Sequence, residues 1–245
     1  ARAGRAARLP LDLAALEAYT SHRLKNPLSD LLAREALSLL GANIAAVCAA
    51  GEGQPAGAEA RGAMLLGSCY AGLAFANAPV AAVHALAYPL GSTFHVRLVW
   101  LHRRLLHAAR RHPHRADPSP RARRTLHYSP PRIARPPPPT TPLTASHAVV
   151  PPQATSLYAE LAPIVCSRQL GECAASAAVA AGAFVDHFAR LPAELGLPTT
   201  LREVGVAEAD IGSLAANAML QTRLLPNNPR EVHLDDAERI YRAAL

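Results

Sequence analysis

A chain of 245 residues, half of them hydrophobic, can bury one large core or two small ones. Aromatics make up only 4% and alanine is abundant, which argues against a β-sandwich and for closely packed helices. The net charge of +7 is uneven: residues 97–135 hold eleven arginines against one acid, Asp117, and so carry +10, leaving −3 for the rest. An argument from charge to nucleic acid therefore concerns that segment alone.

Residues 11–21, LDLAALEAYTS, place apolar side chains at helical spacing and predict a first helix. Asn26-Pro27-Leu28-Ser29-Asp30 reads as the start of a second, which continues over residues 31–50 as a long amphipathic helix and ends near Gly51. A glycine-rich loop over 51–57 leads to a third helix over 58–77. Pro79 is expected to open a fourth, VAAVHALAYPLG, in which His84 is surrounded by apolar residues. No Asp, Glu, Lys or Arg occurs over residues 62–96. That length raises a membrane span. Gly, Ala, Ser, Asn77, Pro79 and His84 divide it into pieces too polar for lipid, so two buried helices meeting near Pro79 are predicted instead.

Residues 97–153 differ in kind. RLVWLHRRLLHAARRH could form a basic amphipathic helix with Trp100 and leucines on one side. Beyond Pro113 the segment is rich in Arg, Pro and Ser, and polyproline or disordered chain is expected. Globular patterning returns at Ser156-Leu157-Tyr158-Ala159-Glu160-Leu161, with helices expected over 173–195, 207–224 and 234–245. Glu208 and Asp210 supply acids where a helix starts. The turn Pro226-Asn227-Asn228-Pro229-Arg230 separates the last two helices. No strand and no internal repeat is predicted.

The four cysteines, Cys48, Cys69, Cys166 and Cys173, show no CxxC pairing and read as buried free thiols of a reducing compartment, cytoplasmic or alternatively mitochondrial. The chain opens at Ala1 with no signal-peptide pattern, as a fragment of a longer protein would. No GxSxG elbow and no His-paired cysteine supports nucleophilic catalysis. Glu194, Glu203, Glu208 and Asp210 are expected to cap helices or face solvent. His187 and His233 have no partners at ligand spacing and read as surface residues, and His95 as a helix-end residue.

Several stretches carry a likeness in order and spacing: LEAYTS, NPLSD, the block over residues 60–96, LYAELAPIV, LGLPTTLREVGV and NNPREV. In these the chain resembles the iron-containing (group III) alcohol dehydrogenases, and specifically their C-terminal helical metal-binding domain. The resemblance implies an all-α helical bundle, a divalent metal (iron or zinc), NAD(P) as hydride carrier, and a small-molecule alcohol or carbonyl as substrate. Family members also have an α/β dinucleotide-binding domain, and no glycine-rich phosphate turn after a strand is visible here.

Carried over residue by residue, the resemblance makes His84 the metal-ligand position. The Asp and His that the family draws from the helix leading into Glu17-Ala18-Tyr19 are here Pro10 and Ala14, neither of which can ligate. A further active-site histidine is Tyr88, and the ligand in the family's Pro-His-Gly falls at Leu98. His95 or Asp12 are the substitutes nearest in sequence, but nothing pairs them. A lone histidine on an apolar helix is otherwise an ordinary buried histidine with one hydrogen-bond partner, and that reading stays open here.

The expected organisation is residues 1–96 and 154–245 as two parts of one helical domain, with 97–153 as a basic Pro/Arg-rich insert. Three readings of the insert remain: a tether for nucleic acid or an acidic partner, a disordered loop without a role, or non-native translated sequence. The function implied is that of an NAD(P)-linked alcohol/carbonyl oxidoreductase, with this chain an inactive fragment that binds neither metal nor cofactor alone. The alternatives are a non-catalytic helical interaction protein and a nucleic-acid binder acting through its basic segment. No membrane partner is expected, and a homo-oligomer is left open.

Overall fold

The protein is described from a computed structural model covering residues 10–49, 57–95, 152–166, 176–195 and 199–245. Among these residues the chain forms eight α-helices and no strand: α1 (Pro10–Thr20), α2 (Pro27–Ala49), α3 (Ala58–Asn77), α4 (Ala82–Phe94), α5 (Pro152–Val165), α6 (Ala177–Glu194), α7 (Ile211–Met219) and α8 (Leu234–Ala244). This is the all-α fold expected. Short 3-10 turns stand at Arg202–Val204, Glu208–Asp210 and Leu225–Asn227.

The start of α2 shows why NPLSD has the form it has. Asn26 accepts the Ser29 amide through Oδ1 at 2.9 Å, and Ser29 Oγ accepts the Asn26 amide at 3.1 Å. Two of the donors orphaned at a helix start are thus satisfied reciprocally. Pro27 sits at the first helical position, where its missing N–H costs nothing. Asp30 in the first turn binds Lys25 Nζ at 2.5 Å, and Lys25 also lies 3.7 Å above the Tyr19 ring. Tyr19 in turn donates to Glu160 of α5 at 2.6 Å, joining the first, second and fifth helices.

Helices α2 and α3 pack side by side, with α1 laid against both. Helices α5 and α6 form a second pair, joined to α2 and α1 through α5. Helix α7 packs on α4 and α8. One continuous core runs through these groups, from Leu13, Leu16, Leu37 and Leu40 to Phe184, Phe188, Leu214 and Tyr241.

By length and composition, one described helix (Pro27–Ala49) would suffice to cross a membrane. Ala58–Asn77 and Ala82–Phe94 would supply a second only across a 108° bend. That bend is the junction expected near Pro79.

Several boundaries differ from those predicted. Helix α4 starts at Ala82 and not at Pro79, because the chain runs extended from Ala78. The Val80 carbonyl accepts from Asn227 Nδ2 at 3.0 Å and so is held outside the helix. The helix expected over 207–224 ends at Met219, beyond which bonds such as Gln221 N–H to Ala218 O (3.0 Å) close tight turns. Helix α5 opens at Pro152, inside the segment assigned to the insert, since proline is tolerated in a first turn. The rest of that segment before Pro152 lies outside the described residues, as does Cys173.

Helix α3 is buried on one face only. Met64, Gly67, Ala71 and Ala74 point inward, while Leu65, Leu66, Leu73 and Phe75 are exposed, Leu65 at 73%. Cys69 shares this outer face and is exposed, contrary to the expectation of a buried thiol, whereas Cys48 and Cys166 are buried as expected. A run without charges does not tell a wholly buried helix from one whose outer face is merely uncharged.

The α2–α3 approach depends on Gly67. A Cβ there would lie 2.9 Å from Leu40 Cγ and 3.1 Å from Leu39 Cβ, closer than packed atoms tolerate. Gly67→Ala is therefore expected to destabilise by about 1–3 kcal/mol through overpacking. Gly72→Ala, with open space around its Cβ, should gain roughly 0.5–1 kcal/mol from helix propensity. Denaturant melts of the two variants check this, and similar midpoints would refute the close approach.

A second prediction concerns Asp236 at the start of α8. Burial opposes ionisation of its carboxyl, but the His233 amide at 3.1 Å and the Arg230 and Arg239 guanidinium groups outweigh it and hold the group below the usual carboxylate range. A depressed folded value means the contribution is full above the ordinary value of 3.8 and is lost as pH falls through the lowered one. Asp236→Ala should cost about 1–3 kcal/mol near neutrality. In melts taken from pH 7 to pH 2, that difference should shrink only in the most acid samples.

Candidate functional site

Helix α1 turns one face toward α4. Ala14 and Glu17 share that face at the 3.6-residue period. Glu17 is buried at 4% exposure and reaches across to the start of α4. Its Oε1 accepts the Val83 amide at 2.7 Å, and its Oε2 binds Nδ1 of His84. A carboxylate oxygen can only accept, so Nδ1 carries the proton and the imidazole is held in one tautomer. His84 is itself buried and lies edge-on to Tyr88, with ring centres 6.4 Å apart.

The carboxylate is enclosed by aromatic and apolar neighbours. Burial raises the Tyr158 hydroxyl, and the nearby Glu17 charge raises it further. Tyr158 stacks on Phe184 at 5.5 Å. The start of α4 is held from the opposite side by Asn227, whose Nδ2 donates to Val80 O and to Arg223 O, each at 3.0 Å. Further along, Tyr241 of α8 donates to Leu86 O at 2.5 Å. The histidine is thus fixed through its helix as well as through its ring.

The sequence singled out His84, and the structure places it at this contact. It did not single out Glu17 as a partner. The signal was present: a carboxylate in LAALEAY, with apolar residues on every side, cannot be buried without a compensating donor. Of the positions matched to metal ligands, Ala14 is buried at 3% and presents only a methyl group. Pro10 begins α1 and has no donor atom to offer, and Leu98 lies outside the described residues. His95 ends α4 with φ 53°, exposed, as a helix-end residue should be.

His233 is exposed at the start of α8, whereas His187 is only partly exposed and packs edge-on to Phe188 at 5.5 Å. Among the described residues no three of His, Cys, Asp and Glu come together as a metal would require. Just beyond α1, Ser21 Oγ is buried without a hydrogen-bond partner. A neutral hydroxyl is a poor ligand for iron or zinc. The described residues at this position do not supply the donor set of the family's metal.

Burial pushes the Cys166 thiol up to about 11 against the opposing pull of Arg190, which lowers its thiolate fraction near neutrality. Glu203 accepts from the Thr199 and Thr200 hydroxyls at 3.1 Å, and Asp210 accepts the Ala207 amide at 2.8 Å; both cap as expected. Glu208 adds an ion pair with Arg242 at 2.8 Å. A cleft of about 520 Å³ opens beside the Leu225–Asn227 turn, lined among others by His22, Met219, Thr222 and Glu231. Glu17 and His84 do not line it.

Among the described residues the chain is a bundle of helices without a strand, with a histidine pinned between its first and fourth helices. The description "Fe-containing alcohol dehydrogenase family, C-terminal" matches residues 13–98 and 144–245. The long-chain-alcohol dehydrogenase 1 of Geobacillus thermodenitrificans (strain NG80-2) is 30% identical over 94% of this chain and 47% of its own length. A solved 1,3-propanediol oxidoreductase superposes with TM-score 0.73 at 24% identity, over 98% of this chain and 51% of its own. A sulfoacetaldehyde reductase from Bifidobacterium kashiwanohense, solved in complex with NAD+, does so with TM-score 0.65 at 20% identity, over 99% and 50%.

The chain belongs to the iron-containing alcohol dehydrogenase family, as its C-terminal helical domain. It spans about half the length of the curated relatives it matches. The family match leaves out residues 99–143.

Asn227→Ala tests how α4 is held. The change strands the Val80 carbonyl in a buried setting, which costs about 1–3 kcal/mol. Amide exchange by mass spectrometry should quicken at the start of α4 more than in α2. Equal protection of α4 in both proteins would refute the role given to Asn227.

Proposed function

We propose that this chain is the helical half of an NAD(P)-linked oxidoreductase acting on alcohols or carbonyl compounds, and that it does not turn over substrate alone. The observation that carries the reading is the family membership across both helical segments, with Glu17 fastened to the backbone and ring at the His84 position. In such enzymes a nicotinamide takes or gives the hydride. A dinucleotide is held by a strand, a glycine-rich turn and a helix N-terminus, and no strand occurs among the described residues.

The relatives provide the substrate class: long-chain alcohols and 1,3-propanediol appear in their names. Among this chain's own residues, Glu17 orients His84, and the exposed Tyr88 and Phe75 stand on the two helices flanking the bend. A cytoplasmic location goes with this reading and is checked by cell fractionation.

A second reading rests on the outer face of α3 and the start of α2, where Leu24, Leu28, Leu31, Leu65, Leu66 and Leu73 are exposed. Such a surface suits a non-catalytic interaction protein. The first reading is tested by assaying the purified chain with NAD+ or NADP+, 1,3-propanediol and a long-chain primary alcohol, following NAD(P)H absorbance, and the mixing experiment below separates it from the second. The expected outcome is a rate equal to the protein-free blank. Mixing with a separately expressed dinucleotide-binding half of a relative should yield a complex by size exclusion if the first reading holds. Turnover by the chain alone would refute it.

A further inference from the structure

We infer that this chain holds the family's metal position closed without a metal: Glu17, Val83 and His84 form a direct clasp between α1 and α4 that stands independently of any bound ion. The inference rests on the family reading, since that reading identifies the position. It goes beyond it in assigning what the position now does.

The argument is a count of donors followed by a test of packing. A structural or catalytic zinc or iron site draws three or four donors from separate elements. The α1 face toward α4 carries Ala14 and Glu17, and the other position of this helix matched to a ligand is Pro10. Proline and alanine carry no side-chain donor. Ala14 is buried at 3% exposure, but it stands outside the continuous core that takes in Leu13, Ala15 and Leu16.

Glu17 is the single carboxylate on this face, and both its oxygens are already engaged, one by the Val83 amide at 2.7 Å and the other by His84. Freeing either oxygen for a metal would strand a buried N–H. His84 therefore contributes at most one nitrogen. Tyr88, its ring neighbour 6.4 Å away, offers a phenol where the family has a histidine.

The same contacts explain why no ion is needed to hold the helices together. In a metal site, ligands from two helices are tied through the ion. Here a carboxylate on α1 ties directly to a main-chain amide and an imidazole on α4, and Asn227 and Tyr241 hold α4 from its other sides.

The experiment uses the purified 245-residue chain and reads thermal unfolding by circular dichroism. Wild type is compared after EDTA dialysis, with one equivalent of Zn2+, and with one equivalent of Fe2+ under anaerobic conditions. The midpoints should agree within about 1 °C, because a ligand present at a hundred times its Kd would raise the midpoint by roughly 5 °C or more. His84→Gln and Glu17→Gln should each lower the midpoint by several degrees, equally with and without EDTA.

Glu17→Gln keeps an oxygen for the Val83 amide and so guards against a variant that simply fails to fold. A fall of the wild-type midpoint on EDTA, or a rise with Zn2+ or Fe2+ that His84→Gln abolishes, overturns the inference. A metal-dependent rise that survives His84→Gln supports it, since that ion sits elsewhere. The readout is independent of turnover, so failure here and failure of the assigned function are told apart.

Discussion

A buried carboxylate is the constraint around which the rest of this bundle is arranged. Glu17 lies in the interior with aromatic and apolar residues about it, and a carboxylate there is tolerable only if its oxygens are satisfied. The donors are one main-chain amide and one imidazole nitrogen, both from the first turn of α4. Two consequences follow from that geometry. The start of α4 must face α1, which demands the sharp bend after α3. The imidazole must present Nδ1 to the carboxylate, which sets the orientation of the ring.

The bend in turn leaves α4 with an uncommon problem. A helix without a charged residue has no ion pairs with which to fix its register. Buried polar side chains on other elements do this through its main chain: Asn227 takes the Val80 carbonyl before the helix begins, and Tyr241 takes the Leu86 carbonyl inside it. Each bond is worth only about 1 kcal/mol net, but leaving either acceptor buried and unpaired costs more. Helix α3 solves its own lack of charge differently, by close approach. Gly67 lets its backbone settle against Leu39 and Leu40, and its outer leucines stay exposed.

Much of the fold was legible because its helices carry local signals. The Asn26–Ser29 capping pair, Pro27 at the first helical position and the 58–77 periodicity set boundaries that the structure reproduces for α2 and α3. The misplaced boundaries, at α4 and α7, are those set by distant contacts. Val80 stays extended because of a side chain 147 positions away, and nothing near it in sequence announces this.

The same distinction divides the site. His84 stood out through its apolar surroundings, but its partner Glu17, 67 positions earlier, looked like one more residue of a helix signature. The outer face of α3 misled for another reason: absence of charge was taken as burial, when an exposed face of leucine and cysteine is equally uncharged.

Three residues of α1 separate what a fold needs from what a metal needs. Glu17 is required by the packing itself, since replacing it leaves the Val83 amide and the imidazole without an acceptor. Pro10 and Ala14 answer different demands: a proline suits the first turn of a helix, and an alanine fills a small buried space at no cost in side-chain entropy. Neither choice harms the bundle, and neither offers a lone pair. A helical domain can therefore keep the core and caps of its family while positions matched to metal donors carry residues without a side-chain donor. Family membership shown by fold and sequence speaks to the first set of residues, and chemistry depends on the second.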